Sequence, residues 1–276
     1  MKTLNSGRFS GETRSSRDVN DIVLTEVEYQ IENVDWHCHQ NAFFSFIQRG
    51  VISEVNKKGK YSYGAGTVLF RQAGEPHYNP QLKNQSAALY IEIKPAWIKR
   101  LEINLEGLPK FTEITNPDIR ILFHRLNLES KTNNTVIPLS VEELLIHMIT
   151  GDPDKNFNRY SLAPGWIAET EEVLRSGFPG KLTLAMLSRE VDVHPVHLCK
   201  YFRKYVGCTI SEYVRKLRIE KSLGILLKDN GPLTDVAYAC GFSDQSHFSR
   251  NFKEMIGTTP LQYRKMMGNG VRPTLV

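Results

Sequence analysis

The sequence has no long hydrophobic run. Its most apolar stretch, Ala42 to Ile47, covers six residues, whereas a membrane-spanning helix needs about 18. The first residues, Met1 to Arg8, lack the apolar core of a secretory signal. The sequence therefore predicts a cytoplasmic protein that has no membrane partner.

Cysteine is scarce, and catalytic motifs are missing. The four cysteines, Cys38, Cys199, Cys208 and Cys240, form no CxxC pair. This spacing is typical of a reducing compartment and does not fit a disulfide framework or a zinc finger. The sequence also has no Ser/His/Asp or Cys/His nucleophilic set and no glycine-rich phosphate loop. We therefore predict that the protein is not an enzyme and carries no cofactor.

Neither charge sign dominates strongly, since 35 basic and 30 acidic residues give a net charge of +5. Residues 1–165 carry 19 of each sign, whereas residues 166–276 carry 16 basic and 11 acidic residues. All the excess positive charge therefore lies in the last two-fifths of the chain. A module that binds a polyanion has such a basic half, although a solvated basic surface explains the charge alone more simply.

The sequence pattern divides the chain into a β-rich front half and an all-helical back half. Residues 1–20 are rich in Ser, Gly, Arg and Asn, and we predict a mobile arm there. Short alternating runs between turn residues predict a sandwich or small barrel from residue 21 onward. Helical stripes follow between Asn116 and Thr150, where we expect helices that mediate dimer contacts. The fold class is thus α+β with two domains: an effector-binding domain over 21–155, a linker over 156–165 and a helical domain over 166–270.

Two segments of the back half share one layout. In the first, a short helix ends at the turn Asp192-Val193, and a second helix opens at His194-Pro195. In the second, Gly241 supplies the turn, and either Ser243 or Asp244 caps the following helix. This pattern is a helix-turn-helix written twice.

A long helical pattern from about Thr209 to Lys228 lies between the two segments. Twenty residues at about 1.5 Å each span about 30 Å, close to the roughly 34 Å of one turn of B-DNA. A rigid helix of this length is suited to hold two recognition helices in successive major grooves of double-stranded DNA.

The back half resembles a known family in the residues DVAYACGFSDQSHFSRNFK, 235–253, and GTTPLQYR, 257–264. They look like the C-terminal signature of the AraC/XylS family of bacterial transcription regulators, and the resemblance covers about 100 residues, from Trp166 to Lys265. It implies a regulator that binds DNA, responds to a small molecule and forms a homodimer. RNA polymerase is a further candidate partner. The first unit departs from the family, which usually has Gly in the turn and Ser at the helix start, where this chain has Asp192 and His194.

The resemblance implies that side chains near the start and middle of each recognition helix contact DNA. Arg250 is suited to pair with guanine and Gln245 with adenine, each contributing about 1–3 kcal/mol of discrimination, while Arg203 and Lys253 come later in their helices and suit phosphate. The predicted DNA-binding residues are Val196, His197, Cys199, Lys200, Arg203, Gln245, Ser246, Ser249, Arg250 and Lys253.

The front half resembles, over about 60 residues, the cupin barrel that often precedes this DNA-binding domain. His37 and His39, two residues apart on one strand face, and His77 after the following glycine-rich turn carry the resemblance. In metal-binding cupins, three or four residues separate the second histidine from a glutamate, but this chain has Phe43 and Phe44 at those positions. Three readings stay open: the histidines bond to strand ends, line an organic pocket, or bind zinc or iron without the glutamate.

The main hypothesis is a regulator whose organic effector binds inside the front half, with Arg71 as a partner for an anionic group. The alternative is a metal- or redox-responsive regulator that uses His37, His39 and His77, with or without Cys38. A metalloenzyme cupin on a DNA-binding tail is the third hypothesis, and the absent glutamate counts against it. The predicted effector-binding residues are Trp36, His37, His39, Phe44, Phe46, Tyr63, Arg71, His77 and Tyr90.

Overall fold

In a computed structural model, strands make up the front of the chain and helices the back, as the sequence pattern predicts. One compact unit holds residues 1–115 and 132–150, and a second holds residues 116–131 and 151–276. The structure describes residues 1–30, 33–80, 86–103, 105, 108–131, 141–142, 145–146, 163–177, 180, 182–228 and 230–268. Within these ranges, every helix is too short or too polar to cross a bilayer.

The first unit is built from two β-sheets. The strands are β1 (Lys2–Leu4), β2 (Glu12–Val19), β3 (Ile22–Tyr29), β4 (Val34–His39), β5 (Ala42–Arg49), β6 (Val51–Asn56), β7 (Gly59–Gly64), β8 (Val68–Arg71), β9 (His77–Asn79), β10 (Ser86–Ile93) and β11 (Phe111–Glu113). One sheet has the order β1-β4-β9-β6-β7 and the other the order β11-β8-β5-β10-β3-β2. The predicted barrel is thus present as two sheets, and the described strands do not join them into a closed cylinder.

The prediction of a mobile arm over residues 1–20 is wrong. Strand β1 pairs in parallel with β4, and β2 pairs antiparallel with β3 along its whole length. Side chains of β2 are exposed or half-buried throughout, so the strand is held by backbone hydrogen bonds and leaves no hydrophobic pattern in the sequence. An edge strand of this kind escapes pattern reading because its residues need not alternate.

Helices follow the strands along the chain. Helix α6 lies between two hydrophobic cores and supplies side chains to both: Tyr213 and Leu217 to one, and Leu223 and Leu226 to the other. The helices are α1 (Pro95–Arg100), α2 (Pro117–Lys131), α3 (Gly165–Gly177), α4 (Leu184–Glu190), α5 (Pro195–Val206), α6 (Ile210–Lys228), α7 (Leu233–Ala239), α8 (Gln245–Ile256) and α9 (Pro260–Gly268).

Helix α2 belongs to the C-terminal unit, which corrects the predicted domain of residues 21–155. Ile121 is part of the core around α6 and α8. The Lys216 ammonium lies 2.7 Å from the Asp118 carboxylate, and the buried His124 Nδ1 lies 2.6 Å from the Tyr263 hydroxyl. In the apolar stripe of α2, Ile119, Phe123 and Leu126 are therefore buried within the chain, and a dimer contact by this helix stays a prediction.

Two further predictions fall mainly outside the described residues. Of the later part of the helical stripes expected between Asn116 and Thr150, the described positions Val141 and Leu145 are helical and buried. Of the predicted linker, residues 156–162 are outside the described part, and residue 165 already begins α3.

Acidification should destabilise the C-terminal unit through His124. Burial lowers the pKa of His124 to about 3, whereas an unfolded histidine titrates near 6.5. Between these values the unfolded chain binds the extra proton, so this stability is fully present above about pH 6.5 and is lost as the pH falls toward 3. At pH 5 the loss is about 2 kcal/mol.

Urea unfolding of the full chain, followed by helix-sensitive circular dichroism at pH 7 and pH 5, measures this loss. The variant His124→Gln should show the smaller difference between the two pH values, while the exposed His247→Gln should behave like the unmodified chain. Equal pH differences for His124→Gln and the unmodified chain would contradict the assignment.

Candidate nucleic-acid interface and buried histidine site

The helix pairs α4–α5 and α7–α8 are two helix-turn-helix units with equivalent turns. Each turn contains one residue with positive φ, Asp192 at 49° in the first unit and Gly241 at 82° in the second. Aspartate is among the few non-glycine residues that occur readily in this region. The departure from glycine at position 192 therefore preserves the turn.

The second helix of each unit begins and ends in the same way. The His194 Nδ1 accepts a hydrogen bond from the Val196 amide at 3.4 Å, and the Asp244 carboxylate accepts one from the His247 amide at 2.7 Å. Of the two cap candidates in the second unit, the cap is thus Asp244. Both helices end at a glycine with φ between 84° and 88°, Gly207 and Gly257.

The repeat extends into the helices that follow. Thr209 and Glu212 form a reciprocal cap at the start of α6, because the Glu212 carboxylate accepts from the Thr209 amide and the Thr209 hydroxyl accepts from the Glu212 amide. Thr259 and Gln262 make the equivalent pair of contacts at the start of α9. The two units are therefore copies of one local structure that includes its caps.

The predicted DNA-binding residues lie on the outer faces of α5 and α8. Leu198 and Phe202 on α5, and Phe248 and Phe252 on α8, are buried in the two cores. The opposite faces carry the predicted residues, which are exposed, with Val196 at 65%, except for the half-buried Ser249. Exposure is what a contact surface requires, and base contact itself stays a prediction.

Two side chains of α8 differ in how they are held. The Gln245 Oε1 accepts a hydrogen bond from the Thr234 hydroxyl on α7 at 2.8 Å, which orients the amide and leaves its NH₂ group to donate. Arg250 is exposed and forms no ion pair with any described residue. Its guanidinium is thus available for a bidentate contact.

Helix α5 also carries an aromatic ladder that the sequence analysis missed. The rings of His197 and Tyr201 stack at 5.9 Å, and those of Tyr201 and Tyr205 at 6.3 Å. The Lys204 ammonium lies 5.3 Å from the centre of the Tyr205 ring, so these rings hold a cation at the surface of the helix. The spacing of four residues was the available signal, because such positions are neighbours on a helix.

A small cavity of about 30 Å³ lies inside the N-terminal unit. Both sheets supply its walls, and its polar side chains include three buried histidines and a buried arginine. Its lining residues are Phe9, Ser10, Tyr29, His37, His39, Phe43, Ser45, Ile47, Ile52, Glu54, Leu69, Arg71, His77, Asn79 and Tyr90.

Five of the nine predicted effector-binding residues line this cavity: His37, His39, Arg71, His77 and Tyr90. The other four are Trp36, Phe44, Phe46 and Tyr63.

Those four residues lie elsewhere in the unit. Trp36 is 45% exposed and packs on Tyr78, and Tyr63 packs beside the cavity among other aromatic residues. Phe44 and Phe46 have the opposite strand parity from the lining residue Phe43, and Phe44 contacts Phe70 on the outer face. Both faces of β5 are buried, so its apolar run did not reveal which face meets the cavity.

The three histidines form one cluster. His37 and His77 are direct partners in the pairing of β4 with β9, and His39 lies two residues along β4. Their nearest side-chain nitrogens all lie within 4.8 Å of one another. The backbone carbonyl of Asp35 bonds to His37 Nδ1 at 2.8 Å, and that of Glu75 bonds to His77 Nδ1 at 3.2 Å.

The histidine cluster is uncharged at neutral pH. Burial lowers the pKa of His37, lowers that of His39 to about 3, and lowers that of His77 well below its usual value. The positive charge of Arg71 acts in the same direction on all three. Neutral imidazoles have a free lone pair, so the cluster presents acceptor or ligand nitrogens to the cavity.

Arg71 and Glu54 form a buried ion pair beside the cluster. The Glu54 carboxylate also accepts from the Asn56 side chain at 3.2 Å, and the Arg71 guanidinium lies 4.6 Å from the centre of the Phe111 ring. The Arg71 Nη1 is buried and has no hydrogen-bond partner among the described residues. The Arg71 side chain is one of the residues that line the cavity.

Phe9 closes the cavity from the segment between β1 and β2. Its ring stacks on Tyr90 at 3.7 Å and lies 4.8 Å from the ring of His39. The backbone nearby is held by the buried Glu92, whose carboxylate accepts from the Gly7 amide at 2.5 Å. The sequence analysis missed Phe9 because it assigned this segment to a mobile arm.

Comparison with known proteins identifies a helix-turn-helix region in the C-terminal unit. A protein family described as a helix-turn-helix domain matches residues 187–266. The bifunctional transcriptional activator and DNA repair enzyme AdaA of Bacillus subtilis is 30% identical over 101 residues, which are 37% of this chain and 48% of AdaA. This chain thus spans about half the length of that relative.

Two further proteins are similar over most of the chain. The lactose operon transcription activator of Staphylococcus xylosus is 20% identical over 86% of this chain and 89% of its own. The crystal structure of ToxT from Vibrio cholerae is 16% identical over 91% of this chain and 99% of its own, with a TM-score of 0.39. On these sequence matches, the C-terminal unit is similar to the helix-turn-helix domains of transcription regulators.

Proposed function

We propose that the protein is a sequence-specific DNA-binding regulator that is controlled by a small molecule bound in the N-terminal unit. The observation that carries this proposal is the pair of matched helix-turn-helix units around α6, each with an exposed and polar recognition helix. We keep the predictions that it acts as a homodimer, that RNA polymerase is a further candidate partner and that it is not an enzyme.

The spacing of the units supports binding to one face of a duplex. Helix α6 has 19 residues, which correspond to about 28 Å, and successive major grooves are about 34 Å apart. With α5 and α8 in neighbouring grooves, Arg250 and Gln245 contact base edges, and Arg203 and Lys253 contact phosphates.

The size of the cavity limits how an organic effector enters. Pockets for such ligands are about 300–1,000 Å³, and the cavity under Phe9 is about 30 Å³. An organic effector therefore has to displace the Phe9 ring from Tyr90 and His39. A bound effector then favours the state in which the Phe9 segment, between β1 and β2, has moved away from the cavity. If effector binding and DNA binding are coupled by about 1–3 kcal/mol, the effector regulates DNA binding.

Selection of bound duplexes from a random DNA pool by the full chain tests the function and identifies its site. Against that site, Arg250→Ala should lose about 1–3 kcal/mol of discrimination while salt-sensitive binding to unrelated DNA persists. Gel-shift titrations with the selected and a scrambled duplex measure this ratio.

The matched control is Lys253→Ala, which removes a positive charge from the same helix. It should weaken binding to both duplexes about equally and make binding less dependent on salt. An unchanged ratio for Arg250→Ala would refute base reading by Arg250, and a full chain with no preference among duplexes would refute the function.

Removal of the Phe9 ring should open the cavity. Phe9→Ala is expected to bind the anionic aromatic dye anilinonaphthalene sulfonate more tightly, because an aromatic ring can replace the lost contacts to Tyr90 and His39. A fluorescence titration measures the affinity, and thermal melting verifies that the variant is folded.

Trp36→Ala, which removes an aromatic ring outside the cavity, should bind the dye like the unmodified chain. Equal dye affinity in Phe9→Ala and the unmodified chain would mean that Phe9 does not occlude a ligand site.

A further inference from the structure

We propose that the histidine cluster binds one divalent transition-metal ion through His37, His39 and His77. A fourth coordination position then faces Arg71 and takes an exogenous carboxylate. The proposal is independent of DNA binding, since the cluster and the recognition helices belong to different units.

The backbone of the two strands brings the three ligands together. His37 and His77 are paired across β4 and β9, and His39 follows two residues after His37 on the same strand. Ligand nitrogens of a tetrahedral ion with bonds of about 2.1 Å lie about 3.4 Å apart. The nitrogens here lie within 4.8 Å of one another, so small rotations of the rings bring them into that geometry.

Hydrogen bonds already select the ligand nitrogen in two of the three rings. The Nδ1 atoms of His37 and His77 each bond to the carbonyl of the residue two positions earlier, so Nε2 carries the free lone pair. A metal-bound histidine usually donates its other N–H to such a carbonyl. The His39 Nδ1 is buried and has no hydrogen-bond partner among the described residues, and a metal bond would satisfy a nitrogen of that ring.

The cavity has room for an ion and a small ligand. Its volume of about 30 Å³ exceeds the roughly 10–15 Å³ of cavity volume that one water molecule needs. Cys38 is a poor fourth ligand, since its side chain points to the other face of β4 and contacts the Thr3 hydroxyl at 3.4 Å. A three-imidazole set with an open position suits zinc, iron, copper or nickel.

The charge of the surroundings argues for an anion in the fourth position. The lining of the cavity includes the acidic Glu54 and the basic Arg71, which form one ion pair with each other. A dication would add two uncompensated charges to a buried site, which is costly. A carboxylate bound to the ion lowers that charge and accepts a hydrogen bond from the buried Arg71 Nη1.

Cobalt(II) is the probe for the test, because its visible absorption reports the number and type of its ligands. The full chain is stripped with a chelator, dialysed and titrated with cobalt(II) and then with zinc(II). We expect one cobalt ion per chain by elemental analysis, the intense visible bands of a four-coordinate site, and their loss on competition by zinc. Acetate should shift these bands.

A chain that retains no ion or shows only the spectrum of hydrated cobalt would overturn the metal site, and bands unaffected by acetate would overturn the carboxylate position.

Substitution of the ligands separates this site from adventitious binding. Loss of a hydrogen-bond partner of a metal ligand typically weakens metal binding about 10- to 100-fold. Loss of a ligand itself, in His77→Gln or His39→Gln, should weaken cobalt binding by at least that factor. His247→Gln, which removes an exposed histidine of the C-terminal unit, should bind cobalt like the unmodified chain. Unchanged binding in His77→Gln and His39→Gln would refute the assignment.

The spectrum of the unmodified chain tests whether the protein binds the ion, and this test does not depend on the folding of any variant. Circular dichroism identifies variants that are folded. None of these readouts involves DNA, so a failed metal site leaves the proposed DNA binding intact, and failed DNA binding leaves the metal site intact.

Discussion

Helix α6 is the element on which the C-terminal unit depends. Tyr213 and Leu217 at one end are buried in the core of the first helix-turn-helix unit, and Leu223 and Leu226 at the other end are buried in the core of the second. One rigid helix therefore sets both the distance and the rotation between the recognition helices. Because interiors are close-packed, a shift of α6 in one core is transmitted along its axis to the other.

The same unit recruits a helix from the middle of the chain. Helix α2 starts at Pro117, four residues after strand β11 ends at Glu113. Strand β11 carries Phe111, on which the cavity residue Arg71 packs, and α2 carries Ile121 into the core around α6. The polypeptide thus leaves the N-terminal unit after β11 and enters the C-terminal unit at residue 116.

The N-terminal unit is organised around buried polar groups that compensate one another. Arg71 is paired with Glu54, and the three histidines avoid the cost of buried charge by staying neutral. The Phe9 ring lies beside the cluster, 4.8 Å from the ring of His39 and stacked on Tyr90. An occupant of such a cavity has to satisfy the buried polar groups, because an unpaired buried donor or acceptor is costly.

A feature could be predicted from the sequence where neighbouring residues define it, and could not where contacts with distant segments define it. The turns at Asp192 and Gly241 were predictable because local backbone chemistry defines them within a few residues. Strand β2 was not predictable, because backbone pairing with β3 holds it while its side chains remain exposed or half-buried. Phe44 and Phe46 were assigned to the wrong face of β5, since an apolar run that is buried on both faces contains no alternation.

The sequence by itself determined the β-then-α order, the two helix-turn-helix units and the outward faces of the recognition helices. All of these rest on interactions between residues close in the chain or on a long motif. Only the structure decided that Asp244 is the cap, that β4 and β9 bring the three histidines together, that α2 joins the C-terminal unit, that β1 and β2 pair with the sheets, and that Phe9 lies over the cavity. Those features depend on contacts between distant segments, and an amphipathic or polar stretch does not specify its partner until the whole chain has packed.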